Sequence, residues 1–138
     1  MHDIGVAVDI GTTTVVVSLL DINTSELVGD DTRQLKYLSS ASGVNAQRFY
    51  GADVITRINY CAKKGHEKLT DLIREQVAEL IKQASEKYSE ESGLNRGEIH
   101  IRQITITGNT GGKYITGTGG AKYSAVYRIC GSNHFPKI

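Results

Sequence analysis

Cysteine is scarce in this chain: Cys61 and Cys130 stand far apart, with neither CxxC spacing nor a histidine at ligand spacing. That leaves no basis for a thiolate zinc site or a redox pair. Charge of one sign is also lacking, since 16 Lys and Arg against 15 Asp and Glu give a net charge of +1. Without a strong basic field, nucleic acid is not an expected partner. The one basic pair, Lys63 and Lys64, falls where a helix should end and favours its negative pole. No apolar run is long enough to span a bilayer, and Met1-His2-Asp3 leads into an apolar strand with neither a basic region before it nor a cleavage site after it. The expectation is a protein of the cytoplasm with no membrane partner. His2, His66, His100 and His134 form no metal motif, and there is no GxSxG elbow. Gly117, Gly119 and Gly120 do not make a GxGxxG fingerprint, and no repeat of solenoid period occurs.

What is present is enough apolar sequence in 138 residues to close one core without staples. Residues 4–10 and the β-branched run 14–20 have strand length and flank Gly11-Thr12-Thr13, which predicts a hairpin. A turn at 21–25 and a third strand at 26–30 would complete an antiparallel meander, and the serine-rich stretch 31–50 reads as an ordered loop or lid. Helices are predicted at 52–62, with Gly65 as its stop, and at 67–91. The second sets Leu69, Leu72, Ile73, Val77, Leu80, Ile81, Ala84 and Tyr88 on one face. Gly93 and Gly97 end it, and Ile99, Ile101, Ile104 and Ile106 predict a mostly buried strand over 99–107. The expected core is Val6, Val8, Ile10, Val15, Val17, Leu19, Leu72, Ile73, Leu80, Ile104 and Ile106.

The chemistry concentrates in Asp9-Ile10-Gly11-Thr12-Thr13-Thr14. A glycine in the turn permits positive φ and close approach of a phosphate, successive backbone N–H groups form an anion-binding concavity, and the threonine hydroxyls add donors. Asp9 would repel phosphate directly, so its expected role is to hold magnesium through water. Asp-x-Gly is also an ordinary turn. The whole pattern of strand, Asp-Ile-Gly-Thr-Thr-Thr, second strand and Asp21 at its close favours the functional reading.

That hexapeptide resembles the first phosphate motif of the superfamily containing actin, sugar and acetate kinases, and heat-shock ATPases. Three blocks, residues 5–15, 45–58 and 104–110, are similar to the ATPase domain of the reductive activators of corrinoid proteins. The middle block, with Tyr50-Gly51-Ala52-Asp53-Val54-Ile55 and then Arg57-Ile58, is the most specific. The resemblance implies an α/β fold: a ribonuclease H-like, actin-like ATPase first lobe over residues 1–110, with a mixed sheet and packed helices. ATP and Mg2+ are the implied cofactors, and a corrinoid protein or a ferredoxin-type protein the implied partner. Family members use ATP to drive electrons from an iron–sulfur cluster to cobalt(II). A cluster needs four ligands, and two cysteines do not supply them, so this chain is not expected to carry the electron.

The pattern departs from the family after Thr110. No second Asp-x-Gly hairpin follows, and residues 111–138 form a divergent glycine-rich segment. Within it Ile115-Thr116-Gly117-Thr118-Gly119-Gly120-Ala121 resembles an adenosine-contacting segment of family relatives, which makes Gly119 and Gly120 candidate cofactor contacts; an ordinary glycine-rich turn is the alternative. Gln47 is a candidate for positioning water, Arg57 for meeting phosphate or a partner carboxylate, and Asp53 either for the cleft or for stabilising a helix start. The leading expectation is a truncated magnesium-ATP-binding lobe, completed for hydrolysis by a second lobe or a homodimer. The alternatives are an interaction module that has lost nucleotide binding and a small-molecule kinase.

Overall fold

A computed structural model of the chain describes residues 2–27, 33–108 and 127–129. Strand β1 (His2–Ile10) and β2 (Thr14–Leu27) form the hairpin, and β3 (Arg33–Val44) follows. A 3-10 turn (Ala46–Tyr50) leads to helices α1 (Val54–Lys64) and α2 (Glu67–Ser92). After a short 3-10 turn at Arg96–Glu98 come β4 (Ile99–Gly108) and β5 (Tyr127–Ile129). The sheet runs β3-β2-β1-β4-β5, with β1 antiparallel to β2 and parallel to β4. The architecture is therefore mixed α/β.

Alternation of side chains divides the sheet into two faces. Ile4, Val6, Val8 and Ile10 of β1, with Val15, Val17 and Leu19 of β2, are buried in one core with Ile73, Val77, Leu80, Ile81 and Ala84 of α2. Ile104 and Ile106 of β4 complete it. The intervening residue Asp9 is exposed, and in a pleated strand it projects from the opposite face to its neighbours Val8 and Ile10. Of the expected core, every member is buried except Leu72, which sits half-exposed at the margin of the α2 stripe.

Two expectations fail between residues 21 and 50. The turn predicted at 21–25 is a bulge within β2: pairing passes from Asp21↔Lys36 directly to Ser25↔Leu35. The local turn chemistry is real, because Asn23 N donates to Asp21 Oδ1 at 2.9 Å, but the chain continues as strand beyond it. The supposed loop or lid is the edge strand β3 and the 3-10 turn. Serine, alanine and glycine in β3 follow from its neighbour: Ser39 Oγ donates to Ala84 O at 2.7 Å, and a Cβ on Gly43 would lie 3.4 Å from Gln76 and 3.9 Å from Leu80. Ser39, Ala41 and Gly43 thus meet α2 with small residues, and a Cβ at Gly43 would make ordinary contact there.

Candidate functional site

The link from β1 to β2 is closed by Gly11 N donating to Thr14 O at 2.9 Å. A Cβ on Gly11 would lie 2.9 Å from that same Thr14 oxygen, so glycine is required for close approach. Positive φ is not the reason, contrary to expectation, since the positive-φ glycines among the described residues are Gly51, Gly65 and Gly93. The Gly11 N–H is also engaged in the turn, and the exposed Thr13 and Thr14 carry the next candidate donors.

Each of the next carbonyls is tied from elsewhere in the chain. Asn45 Nδ2 donates to Gly11 O at 2.9 Å, Arg57 Nη2 to Thr12 O at 2.7 Å, and Asn45 N to Thr13 O at 2.8 Å. There are no cis peptides among the described residues, and a trans peptide points its N–H opposite to its C=O. Fixing these carbonyls therefore turns the N–H groups of Thr12, Thr13 and Thr14 away from Asn45 and Arg57. The side chains of Thr13 and Thr14 are exposed, as is that of Asp9 near the C-terminal end of β1. Asp9 pairs across the ladder with Val16 and Thr107, and its carboxylate makes no hydrogen bond among the described residues.

Gln47 and Arg57 lie behind this turn. Gln47 is fully buried: its Nε2 donates to Leu69 O and its backbone N to Asn45 Oδ1, each at 2.9 Å. That is the bonding of a brace between the 3-10 turn and α2, in place of the expected access to water. Arg57 is 1% exposed, with Nε donating to Gly51 O at 2.8 Å. Gly51 is dictated by this contact, because a Cβ there would lie 2.8 Å from Arg57 N and 3.0 Å from Arg57 Cγ. Burial pushes the Arg57 guanidinium down from its ordinary value, opposed by the nearby Asp53 charge. The side chain faces the back of the turn, so an outward reach to phosphate is not what this conformation presents.

Asp53 is the N-cap of α1, its Oδ1 accepting from Thr56 N at 2.7 Å. That bond, with a second from the Thr56 side chain, holds its carboxyl below the ordinary value. Gly119 and Gly120 lie outside the described residues. Asn45, which sequence reasoning passed over, is the residue that joins Gly11, Thr13 and Gln47. Its signal was its place at the head of the most specific block: Asn45, Gln47, Gly51 and Arg57 of that block are the parts of the brace. Among the described residues no cluster of His, Cys, Asp or Glu could hold a metal unaided, and no helix is long and apolar enough to cross a membrane.

Fold and site together define a mixed α/β domain that presents a braced hairpin turn beside an exposed aspartate. The RACo middle region family matches residues 4–116, and the chain belongs to that family. It is similar to the corrinoid activation enzyme RamQ of Eubacterium limosum, 41% identical over 88 residues that make up 62% of this chain and 13% of the relative. It also resembles the solved structure of a reductive activator for corrinoid, iron-sulfur protein, with 34% identity and a TM-score of 0.61 over 83% of this chain. The chain spans 13% of the length of the first and 16% of the second.

Proposed function

We propose that this chain forms the phosphate-binding part of a ribonuclease H-like, actin-like ATPase lobe, which binds magnesium-ATP and serves the reductive activation of a corrinoid protein. The observation that carries the reading is the exposed Asp9 beside a turn whose Gly11, Thr12 and Thr13 carbonyls are all held from behind. A turn fixed in advance binds an anion without the entropy cost of ordering itself. In this reading the N–H groups and hydroxyls of Thr13 and Thr14 meet phosphate oxygens, Thr12 holds the turn beside them, and Gly11 keeps the backbone low. Asp9 is the residue that would hold magnesium, and the metal would supply positive charge to offset that of the phosphates.

The family relationship supplies the setting, since the two similar proteins are a corrinoid activation enzyme and a reductive activator for a corrinoid, iron-sulfur protein. Binding is the activity proposed for this chain. Phosphoryl transfer needs an oriented nucleophile as well, and Gln47 is committed to Leu69 O. Gln47 and Asp53 accordingly take structural roles in the proposal.

Isothermal titration of the purified chain with magnesium-ATP, beside Asp9→Ala, tests it. The parent should release heat that requires magnesium, and Asp9→Ala should lose that heat while its melting temperature stays near the parent's. A parent silent at millimolar ATP, with Asp9→Ala unfolded, would leave the interaction module as the better reading.

A further inference from the structure

Arg57 heads the large side chains that are fully buried among the described residues, and it is the one charged member of that set. Two of its nitrogens are satisfied by carbonyls, Gly51 O and Thr12 O, while Nη1 is buried without an acceptor among the described residues. No carboxylate lies within salt-bridge distance of it among the described residues: the nearby Asp53 charge opposes the cost of burial without cancelling it, and Asp53 directs Oδ1 to Thr56 N. A buried guanidinium stays charged, and burying a cation without a counter-ion is unfavourable. Packing alone would be better served by an apolar side chain. The position of this charge, directly behind the Thr12 carbonyl, suggests its use.

We infer that Arg57 is a positioning residue whose buried charge is matched by a phosphate chain on the far side of the turn, making the site selective for polyphosphate. The inference rests on the nucleotide reading above and deepens it. The link is the peptide between Thr12 and Thr13. Its carbonyl accepts a charge-assisted hydrogen bond from Nη2, which polarises the peptide and makes its N–H, on Thr13, a stronger donor. Arg57 therefore acts through the backbone and touches no ligand itself. Asn45, which ties the neighbouring carbonyls, fixes shape but brings no charge.

The experiment titrates the full chain with magnesium-ATP, AMP and inorganic triphosphate, in the parent, Arg57→Gln and Arg57→Lys. The ratio of ATP to AMP affinity should fall about tenfold in Arg57→Gln, the worth of one hydrogen bond to a charged group. Arg57→Lys keeps the charge and should restore most of that ratio. If ATP and AMP weaken equally in folded Arg57→Gln, or if the ratio falls as far in folded Arg57→Lys as in Arg57→Gln, Arg57 is merely structural and the inference is overturned. A second readout needs no mutation: the Arg57 guanidinium 15N resonances of the parent should shift when triphosphate is added, and unmoved resonances with triphosphate bound overturn the inference even if both variants unfold. Binding of triphosphate without ATP would remove the nucleotide reading and leave Arg57's role standing. A parent that binds neither removes both.

Discussion

Asn45 Nδ2 donates to Gly11 O at 2.9 Å, joining the end of β3 to the hairpin turn 34 residues earlier in the chain. The same residue donates its backbone N–H to Thr13 O and accepts from Gln47 N through Oδ1. One buried side chain thus sets the turn and starts the 3-10 turn behind it. Asn45→Ala should cost about 2–4 kcal/mol, because buried partners are left unsatisfied. Urea denaturation measures this, and a loss within the scatter of surface substitutions would show that the turn holds its own shape.

Gly11→Ala tests the close approach directly. The added Cβ would meet Thr14 O at 2.9 Å, and backbone is what it meets, so no side chain can swing aside. A loss of about 1–3 kcal/mol is expected from overpacking. A stability equal to the parent's would mean that the turn opens freely.

The α2 stripe gives a paired test. Ile73 is 2% exposed and Leu72 half-exposed. Ile73→Ala should cost about 2–5 kcal/mol, and Leu72→Ala distinctly less, in proportion to the smaller area it removes from water. Equal losses in thermal or chemical melts would show that the stripe is rotated from the one described.

Acid sensitivity follows from two carboxyls. Asp3 is held below its ordinary value of 3.8 by hydrogen bonds from His100 at 3.1 Å and Arg102 at 3.0 Å, and Asp53 is held down by Thr56. A carboxyl with a depressed folded-state pKa adds stability above its unfolded-state value and loses it as the pH falls through the folded-state value. Melting temperature should therefore drop as the pH falls below 3.8, and Asp3→Asn combined with Asp53→Asn should flatten that drop. An unchanged slope would place the acid limb on other groups. High salt should weaken the Asp3 contribution, since its partners are exposed.

The strands β1, β2 and β4 and helix α2 were legible because each carries a strong apolar period; α1 has only a short stripe, with Ile55 exposed, and Gly65 and Gly93 close the two helices as expected. β3 was hidden because it lies at the sheet edge and meets α2 through Ser39, Ala41 and Gly43, so packing there uses smallness in place of hydrophobicity. The bulge at residues 22–24 mimicked a turn, since Asp21 makes the local bond that a turn would make. At the site, the Asp9 to Thr14 segment was readable from local chemistry. The brace was not: Asn45 is passed over and Arg57 reads as a phosphate contact, because only the fold carries them 34 and 45 positions back to Gly11 and Thr12.

The parallel pairing of β1 with β4 has a consequence for biosynthesis. Asp3 and His100, neighbours across that ladder, are 97 positions apart, so closing it spans most of the chain. A ribosome delivers the hairpin first, then Asn45, then Arg57, and β4 only after α2. Until β4 arrives, β1 has an unpaired edge of mostly apolar sequence, of the kind that invites pairing with other nascent chains. The β1–β2 turn is thus made well before β4, the strand that closes the sheet beside β1.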